Sequence, residues 1–555
     1  MACAIGVDYG TASGRVVLLD LRAGEERAAH VVPYRHGVID AELPGGGRAL
    51  PPDWALQHPA DYLEVLTAGI PEVLRAAGAR AEDVIGLGID FTSCTVLPVR
   101  NDGTPLCLLP EWRARPHAWP KLWKHHAAQR FADRINEVAA ARGEAFLTRY
   151  GGRVSSEWYF PKLLEIFVED RAVYDGCDWF VEATDWVVWQ LTGRQCRNSC
   201  TAGYKAMWSE ADGLPAVDFF RAVHAEFEHP SEKLGTEFYP LGTRAGTVSS
   251  EWAGRLGLSP DTAVAVGNVD AHVSVPGTGV GEPGRLVMVV GTSICHLAVT
   301  EREVRLPGIT GVVRDGVLPG YYGYEAGQAA VGDMLAWYVE RAVPADCEAA
   351  AKRRGVSVHE YLEEQAAGLS PGQTGLIALD WWNGNRSIWG DANLSGLLMG
   401  QTLATTAADI YRALLEAIAF GTRRIVDNFA EHDVPLQELA ACGGLAHRSP
   451  LLMQLYADVC GLPVTVRAST EIPARGAAMF GAVAAGPARG GFASIQEASA
   501  RLAPPVLRVY EPRADAHRVY GEVYGVYREV CDHFGSRRAE WMHALKRIRT
   551  GALGG

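Results

Sequence analysis

An α/β fold built from two similarly planned halves is what this sequence predicts, and three observations carry the prediction. Segments with strand spacing alternate with segments of helical spacing, the signature of strands layered with helices. A strand, a Gly-Thr turn and a returning strand occur over residues 4–20 and recur over 285–300, which points to duplication of one plan. The 555 residues also exceed what a single hydrophobic core organises, so two large domains are expected, 1–260 and 261–555.

The elements follow in order. Residues 4–20 read as two apolar strands around Gly10-Thr11, with Gly10 and Gly14 letting the backbone fold back tightly. Residues 30–34 read as a third strand. Over 59–75 the spacing is helical, with Tyr62, Val65, Leu66, Ile70 and Leu74 on one side. Residues 84–90 form a short apolar strand ending in the carboxylate of Asp90. The stretch 110–245 is rich in Trp and mixed in pattern, and is expected as insertions and loops over a cleft.

The plan then restarts. A strand over 262–267 leads to Asp270, and a hairpin over 285–300 turns at Gly291-Thr292. A long helix is predicted over 406–429, with Ile410, Leu414, Ile418, Ile425 and Phe429 on one face. A strand then runs into Gly443-Gly444. Pro450 opens a helix that Gly461 ends, 463–466 is a strand, and 474–485 is a helix of small residues.

Composition narrows the function classes. Hydrophobic residues at 48% and charged residues at 21% fit a folded globular enzyme. A net charge of −13 argues against nucleic-acid or membrane-surface partners, which favour basic faces. The eleven cysteines are scattered, with Cys196 and Cys200 the closest pair, and show no zinc-like spacing. Free thiols, no leader at the N-terminus and no apolar run near the ~20 residues a bilayer requires lead to the expectation of a cytoplasmic protein.

The residues suited to chemistry lie mostly at turns. A tight glycine turn exposes consecutive amides and a hydroxyl, a concave anion site. Two facing turns, Gly10-Thr11 and Gly291-Thr292, suit a triphosphate held from both sides; one alone is ordinarily just a hairpin. Asp8, a hard oxygen ligand before the first turn, suits Mg²⁺ near phosphates, or else caps the turn. Gly443-Gly444 permits close approach of a ring or phosphate, or is plain turn chemistry.

Asp270 lies just past a strand, where a carboxylate can orient and deprotonate an alcohol for phosphoryl transfer, or can cap a helix; the residues alone balance these readings. His272 is expected to be a core histidine rather than a base. Glu325, Lys205, and Asp90 with Thr92 and Ser93 are polar groups among small or apolar neighbours. They suit a polyol, or an internal salt bridge or hydrogen-bonded core. No Walker-type loop and no Gly-x-Ser-x-Gly elbow is present, which sets P-loop and hydrolase chemistry aside.

In this order, the pieces resemble the FGGY carbohydrate kinases of the actin, hexokinase and Hsp70 superfamily, over nearly the whole chain. The stretches that carry the resemblance, beyond the two turns, are 88–95, 121–127, Ser156-Glu157-Trp158, 200–208, Glu325-Ala-Gly-Gln328 and 380–386. The last three mark the ribulokinase branch. The resemblance implies two ribonuclease-H-like domains of the actin/hexokinase type with an interdomain cleft. It implies ATP at Gly291, Thr292, Gly443 and Gly444, with Gly10, Thr11 and Asp8 facing the phosphates and Mg²⁺. It casts Asp270 as catalytic base and Asp90, Thr92, Ser93, Lys205 and Glu325 as sugar contacts.

The implied reaction is ATP-dependent phosphorylation of L-ribulose to L-ribulose 5-phosphate in L-arabinose breakdown, by a homodimer. Kinases for D-ribulose, xylulose or ribitol, and a non-kinase ATPase of the superfamily, are the alternatives, separable by sugar-stimulated ADP release. Two positions depart from the family pattern. His125 stands where an acid is common, and His447 follows Gly-Gly-Leu-Ala where an acid is more usual.

Overall fold

In the computed structural model, residues 2–46 and 49–552 are described. Two seven-stranded sheets share a five-strand plan. In the first, Glu26–Pro33, Ser13–Asp20 and Cys3–Tyr9 form an antiparallel meander; Val84–Phe91 and Ala263–Ala265 then add in parallel, and Arg244–Thr247 closes the edge antiparallel. In the second, Gly311–Arg314, Tyr322–Gln328, Ile294–Thr300 and Arg285–Val290 are antiparallel neighbours. Glu438–Cys442 and Val464–Arg467 follow in parallel, and Val506–Tyr510 is the antiparallel edge. The duplication read from the Gly-Thr turns therefore extends through five strands of each sheet, and the edge strands differ. This is the α/β, two-sheet arrangement expected from the sequence.

The strand predicted over 262–267 is broken in two. Ala263–Ala265 and Asn268–Val269 both pair with Val84–Phe91, and the second piece delivers the chain to the helix Asp270–Gly277. The helix expected over 59–75 runs to Ala77 and contains a π-helical segment, Val65–Gly69. Close packing on the first sheet accounts for the extra residue in that turn. A methyl on Gly69 would strike Val16, and one on Gly14 would strike Val65, so this face lies flat on the hairpin.

The stretch 110–245 corrects the sequence reading. Instead of loops, it holds the helices Gln129–Arg142, Tyr159–Glu169, Ala183–Thr192 and Val217–Val223. Phe131, Phe146, Trp158, Phe160, Phe219 and Phe227 give it a hydrophobic core of its own. Burial of aromatic rings from several short helices leaves no clean single-face period, which hid them in the sequence.

The two sheets face each other across a helical layer. The helix Ile472–Ala485 comes from the second half, yet its backbone lies on strands of the first. A methyl on Gly6 would collide with the Ala474 carbonyl, one on Gly86 with that of Gly481, and one on Gly88 with that of Ala477. Glycine is required there for closeness rather than for backbone freedom. On its other side this helix meets Asp270–Gly277, where Gly476 sits against Val273. Ala4, Ile85, Val273, Val287, Leu297, Ile472 and Phe480 share one apolar core between the sheets. All eleven cysteines are free.

Candidate active site

The site is assembled at the strand ends of the first sheet. Register places Asp8 opposite Asp90, and Asp90 opposite Asn268, so three polar side chains share one row across adjacent strands. Two residues on, Asp270 opens its helix as the first helical residue, with Val269 as the cap. The Ala271 amide donates to Asp270 Oδ1 at 2.7 Å, which holds the carboxyl at the helix mouth. That contact satisfies one first-turn amide of the helix.

Three carboxylates in one place raise each other's pKa. Burial, then the charges of Asp8 and Asp270, push Asp90 well above the ordinary carboxylate range. Burial also raises Asp8, against the pull of the Arg15 guanidinium, whose Nη1 stands 3.3 Å from Asp8 Oδ2. Asp270 is raised to about 7 by burial first and then by Asp8, with the Ala271 amide holding it back. A carboxyl with that pKa is matched to accepting a proton at neutral pH.

The neighbouring polar atoms are underused. Among the described residues Ser93 Oγ and Asn268 Nδ2 are buried without a hydrogen-bond partner, and the Asp90 carboxyl has only the Asp8 carboxyl to bond with. Thr92 is engaged, its Oγ1 lying 2.8 Å from Thr95 Oγ1 and its amide donating to the Tyr9 carbonyl. The adjoining oxygens of Asp8 and Asp90, forced together by burial, are a hard donor set of the kind Mg²⁺ takes. The residues fit that ion.

Lys205 and Glu325 come from different halves. Lys205 ends the helix Ser199–Lys205, which Asn198 caps by accepting from the Thr201 amide at 2.7 Å. Glu325 lies on Tyr322–Gln328 in the second sheet. Lys205 Nζ donates to both Glu325 oxygens, at 3.0 and 3.1 Å, and His272 Nε2 lies 3.1 Å from Oε2. Burial would raise Glu325, but Lys205 and His272 together hold it below its ordinary value. His272 is fully buried with Cys200 Sγ 2.9 Å from its Nδ1, the core histidine expected from the sequence.

The two glycine turns are similarly built. The Gly10 amide donates to the Ser13 carbonyl at 3.0 Å, and the Gly291 amide to that of Ser293 at 2.9 Å. Thr11 Oγ1 accepts from Trp123 Nε1 at 3.1 Å, and its carbonyl from Gln57 Nε2 at 2.9 Å. Gly443 has φ +90°, and any side chain there would meet the Val290 carbonyl, so the turn after Glu438–Cys442 sits against the end of Arg285–Val290. Gly444 begins the short helix Gly444–Arg448 and is exposed.

Of the two departures, His125 is sealed in a fully buried group, 2.9 Å from Glu165 Oε2 and 3.3 Å from Lys121 Nζ. His447 Nε2 lies 3.2 Å from the Ser469 carbonyl.

Against this geometry, comparison with known proteins is decisive. The FGGY family of carbohydrate kinases, C-terminal domain, matches residues 286–485. A protein named ribulokinase from Anoxybacillus flavithermus is 55% identical over 543 residues, covering 98% of this chain and 96% of that protein. The chain belongs to the FGGY family of carbohydrate kinases. A second ribulokinase, from Mycolicibacterium smegmatis, is 47% identical over 99% of this chain and 96% of its own length. Among solved structures, the xylulose kinase of Rhodospirillum rubrum superposes with a TM-score of 0.78 at 22% identity, covering 98% of this chain and all of that one. Plasmodium falciparum glycerol kinase with ADP gives 0.74 at 16%, covering 96% of this chain and 98% of that one, and both show the fold.

As an FGGY kinase the chain is a sugar kinase, with a sugar and ATP as substrates. Among the described residues no helix is long and apolar enough to cross a membrane. Sequence reasoning missed Arg15 and Asn268 in this site. The hairpin register signalled Arg15, because a chain closing between Gly10 and Ser13 puts residue 15 opposite residue 8. Nothing local signalled Asn268, whose place depends on a strand pairing 178 residues away in sequence.

Proposed function

We propose that this kinase transfers the γ-phosphoryl group of ATP to the primary hydroxyl of L-ribulose, giving L-ribulose 5-phosphate in L-arabinose breakdown. In this reading Asp270 orients that hydroxyl and takes its proton as the bond to phosphorus forms. The carrying observation is the Asp270 carboxyl, raised to about 7, at a helix mouth between the Asp8–Asp90 pair and the Lys205–Glu325 pair.

The sugar lies on the first half, 1–260, reached from the second by Glu325. Lys205 and Glu325 offer a donor and an acceptor to its hydroxyls, and Ser93 an unused hydroxyl beside Asp90 and Thr92. The nucleotide lies on the second half, 261–555, its phosphates over Gly291-Thr292 and facing Gly10-Thr11, its base near Gly443-Gly444. Asp8, with Asp90 beside it, would hold Mg²⁺, which neutralises phosphate charge when bound. Turn amides and the Arg15 guanidinium meet the charge that remains. Closure of the two halves excludes water, which would otherwise compete with the sugar for the phosphoryl group. The protein acts in the cytoplasm as a homodimer.

Identity to proteins named ribulokinase along the full chain supports the ketose over a polyol. The test is ADP formation with L-ribulose, D-ribulose, L-xylulose, D-xylulose and ribitol. L-ribulose gives the highest kcat/KM if the reading holds, and preference for another member of the panel overturns it.

A further inference from the structure

Two charged groups in the cleft have no task in the scheme above. Arg386 sits between the strands Ile377–Leu379 and Leu397–Met399 of the second half. Its side chain lies over Gly327: a methyl there would stand 3.0 Å from Arg386 Cδ and 3.4 Å from Nη1. The next residue secures the segment, since the Gly327 amide donates to Ser387 Oγ at 3.1 Å. Glu325 lies two residues before Gly327, on the same face of the strand and ~6.6 Å away along it. The absence of a side chain at Gly327 thus lets a guanidinium lie beside the Lys205–Glu325 pair.

That guanidinium is poorly matched within the protein. Its side-chain hydrogen-bond partner is the Cys295 thiol, on the strand paired with Gly327. Among the described residues no carboxylate lies within ion-pair distance of it. The carboxylate it feels most is Glu157, from the first half, which also acts on Lys205. Glu157 itself forms no ion pair and no side-chain hydrogen bond among the described residues. Its neighbour Trp158 faces the same place, with Lys205 Nζ 5.8 Å from the ring centroid. The Arg386 guanidinium over Gly327 and the Glu157 carboxylate next to Trp158 therefore flank Lys205–Glu325 from opposite halves without pairing with each other.

A half-buried guanidinium and carboxylate left apart are costly unless a ligand joins them. A chain of hydroxyls is such a ligand, because each hydroxyl donates and accepts, as these two groups require. We propose that Glu157 and Arg386 are a sugar-recognition pair that joins the ketose's hydroxyls across the cleft and discriminates their configuration. The pair extends the sugar site of Lys205 and Glu325 and rests on that assignment. Because it takes one member from each half, it completes only around bound sugar.

The test compares Arg386→Met, Glu157→Gln and Lys205→Met with the parent protein, by steady-state kinetics for the ketose panel and for ATP, with thermal unfolding alongside. Arg386→Met and Glu157→Gln are each expected to raise the KM of the best ketose about tenfold or more, leaving the KM of ATP within about twofold. The ratio of kcat/KM between that ketose and its epimers is expected to shrink by a similar factor. Raised sugar KM in Lys205→Met alone, with KM and ratio unchanged in the other two, overturns the pair and spares the site. Unchanged sugar KM in all three overturns the site and the pair with it. Loss of thermal stability alone in Arg386→Met, with KM and ratio intact, also overturns the proposal.

Discussion

The Lys205 ammonium stands 3.0 Å from a Glu325 oxygen and so ties a helix of the first half to a strand of the second across the cleft. Both side chains are buried, and His272 completes the group from the helix that begins with Asp270. One carboxylate thereby links both halves to the backbone segment that carries the proposed base.

Removal of Lys205 takes away the ammonium paired with Glu325 and leaves the buried carboxylate with His272 and the Thr310 hydroxyl as its close contacts. Lys205→Met is expected to lower unfolding stability by about 3 kcal/mol and to raise sugar KM, with little change in the KM of ATP. Urea unfolding and initial-rate kinetics check both parts. Stability equal to that of the parent would contradict the account of the pair.

The pH–rate profile reports the base. Asp270 must be ionised to accept a proton, and its pKa is raised to about 7 by burial and the Asp8 charge. With saturating ATP, kcat/KM for the sugar is expected to rise about tenfold per pH unit below 7 and to level off above it. A flat profile from pH 5.5 to 8 would contradict the assignment.

Stability should move the opposite way. Burial raises Asp185 to about 7 and, with the charges of Asp8 and Asp185 adding to it, raises Asp270 to about 7 and Glu182 to about 8. A carboxyl whose pKa is higher folded than unfolded favours the folded state at low pH, and that contribution disappears as pH rises through the folded value. The ligand-free protein is therefore expected to lose melting temperature between about pH 5 and 8 and to level off above that. Asp270→Asn should flatten part of that fall; a melting temperature that rises across the window would contradict these shifts.

The packing of Ile472–Ala485 on the first sheet makes a sharper prediction. Gly88→Val drives two methyls into the Ala477 carbonyl and should cost about 3 kcal/mol or more, or prevent folding. Gly143, with φ +67° and nothing within 4 Å of its added methyl, is the control, and Gly143→Ala should cost about 1 kcal/mol. Chemical denaturation of the two variants decides it.

Much of this was legible in the chain. Strand alternation and the two Gly-Thr turns gave the paired sheets, because hairpins are local and their periodicity is written in consecutive residues. Asp270 was legible as a carboxylate after a strand, and the structure adds that it opens a helix and accepts from a first-turn amide. The aromatic helices of 110–245 were hidden because their burial is not confined to one face. Gly6, Gly86 and Gly88 gave no sign that they meet a helix about 390 to 470 residues later, since closeness between backbones leaves no pattern in either segment. Lys205 and Glu325, 120 positions apart, could be read as polar groups requiring partners, but not as each other's.

The central claim is that Asp270 takes the proton from the sugar's alcohol, and turnover of Asp270→Asn measures it most directly. The variant keeps the shape of the side chain, so folding and the KM of ATP should stay near those of the parent while kcat with L-ribulose falls about 10²–10⁴-fold. Turnover within about threefold of the parent, in a variant that binds ATP normally, would contradict the claim.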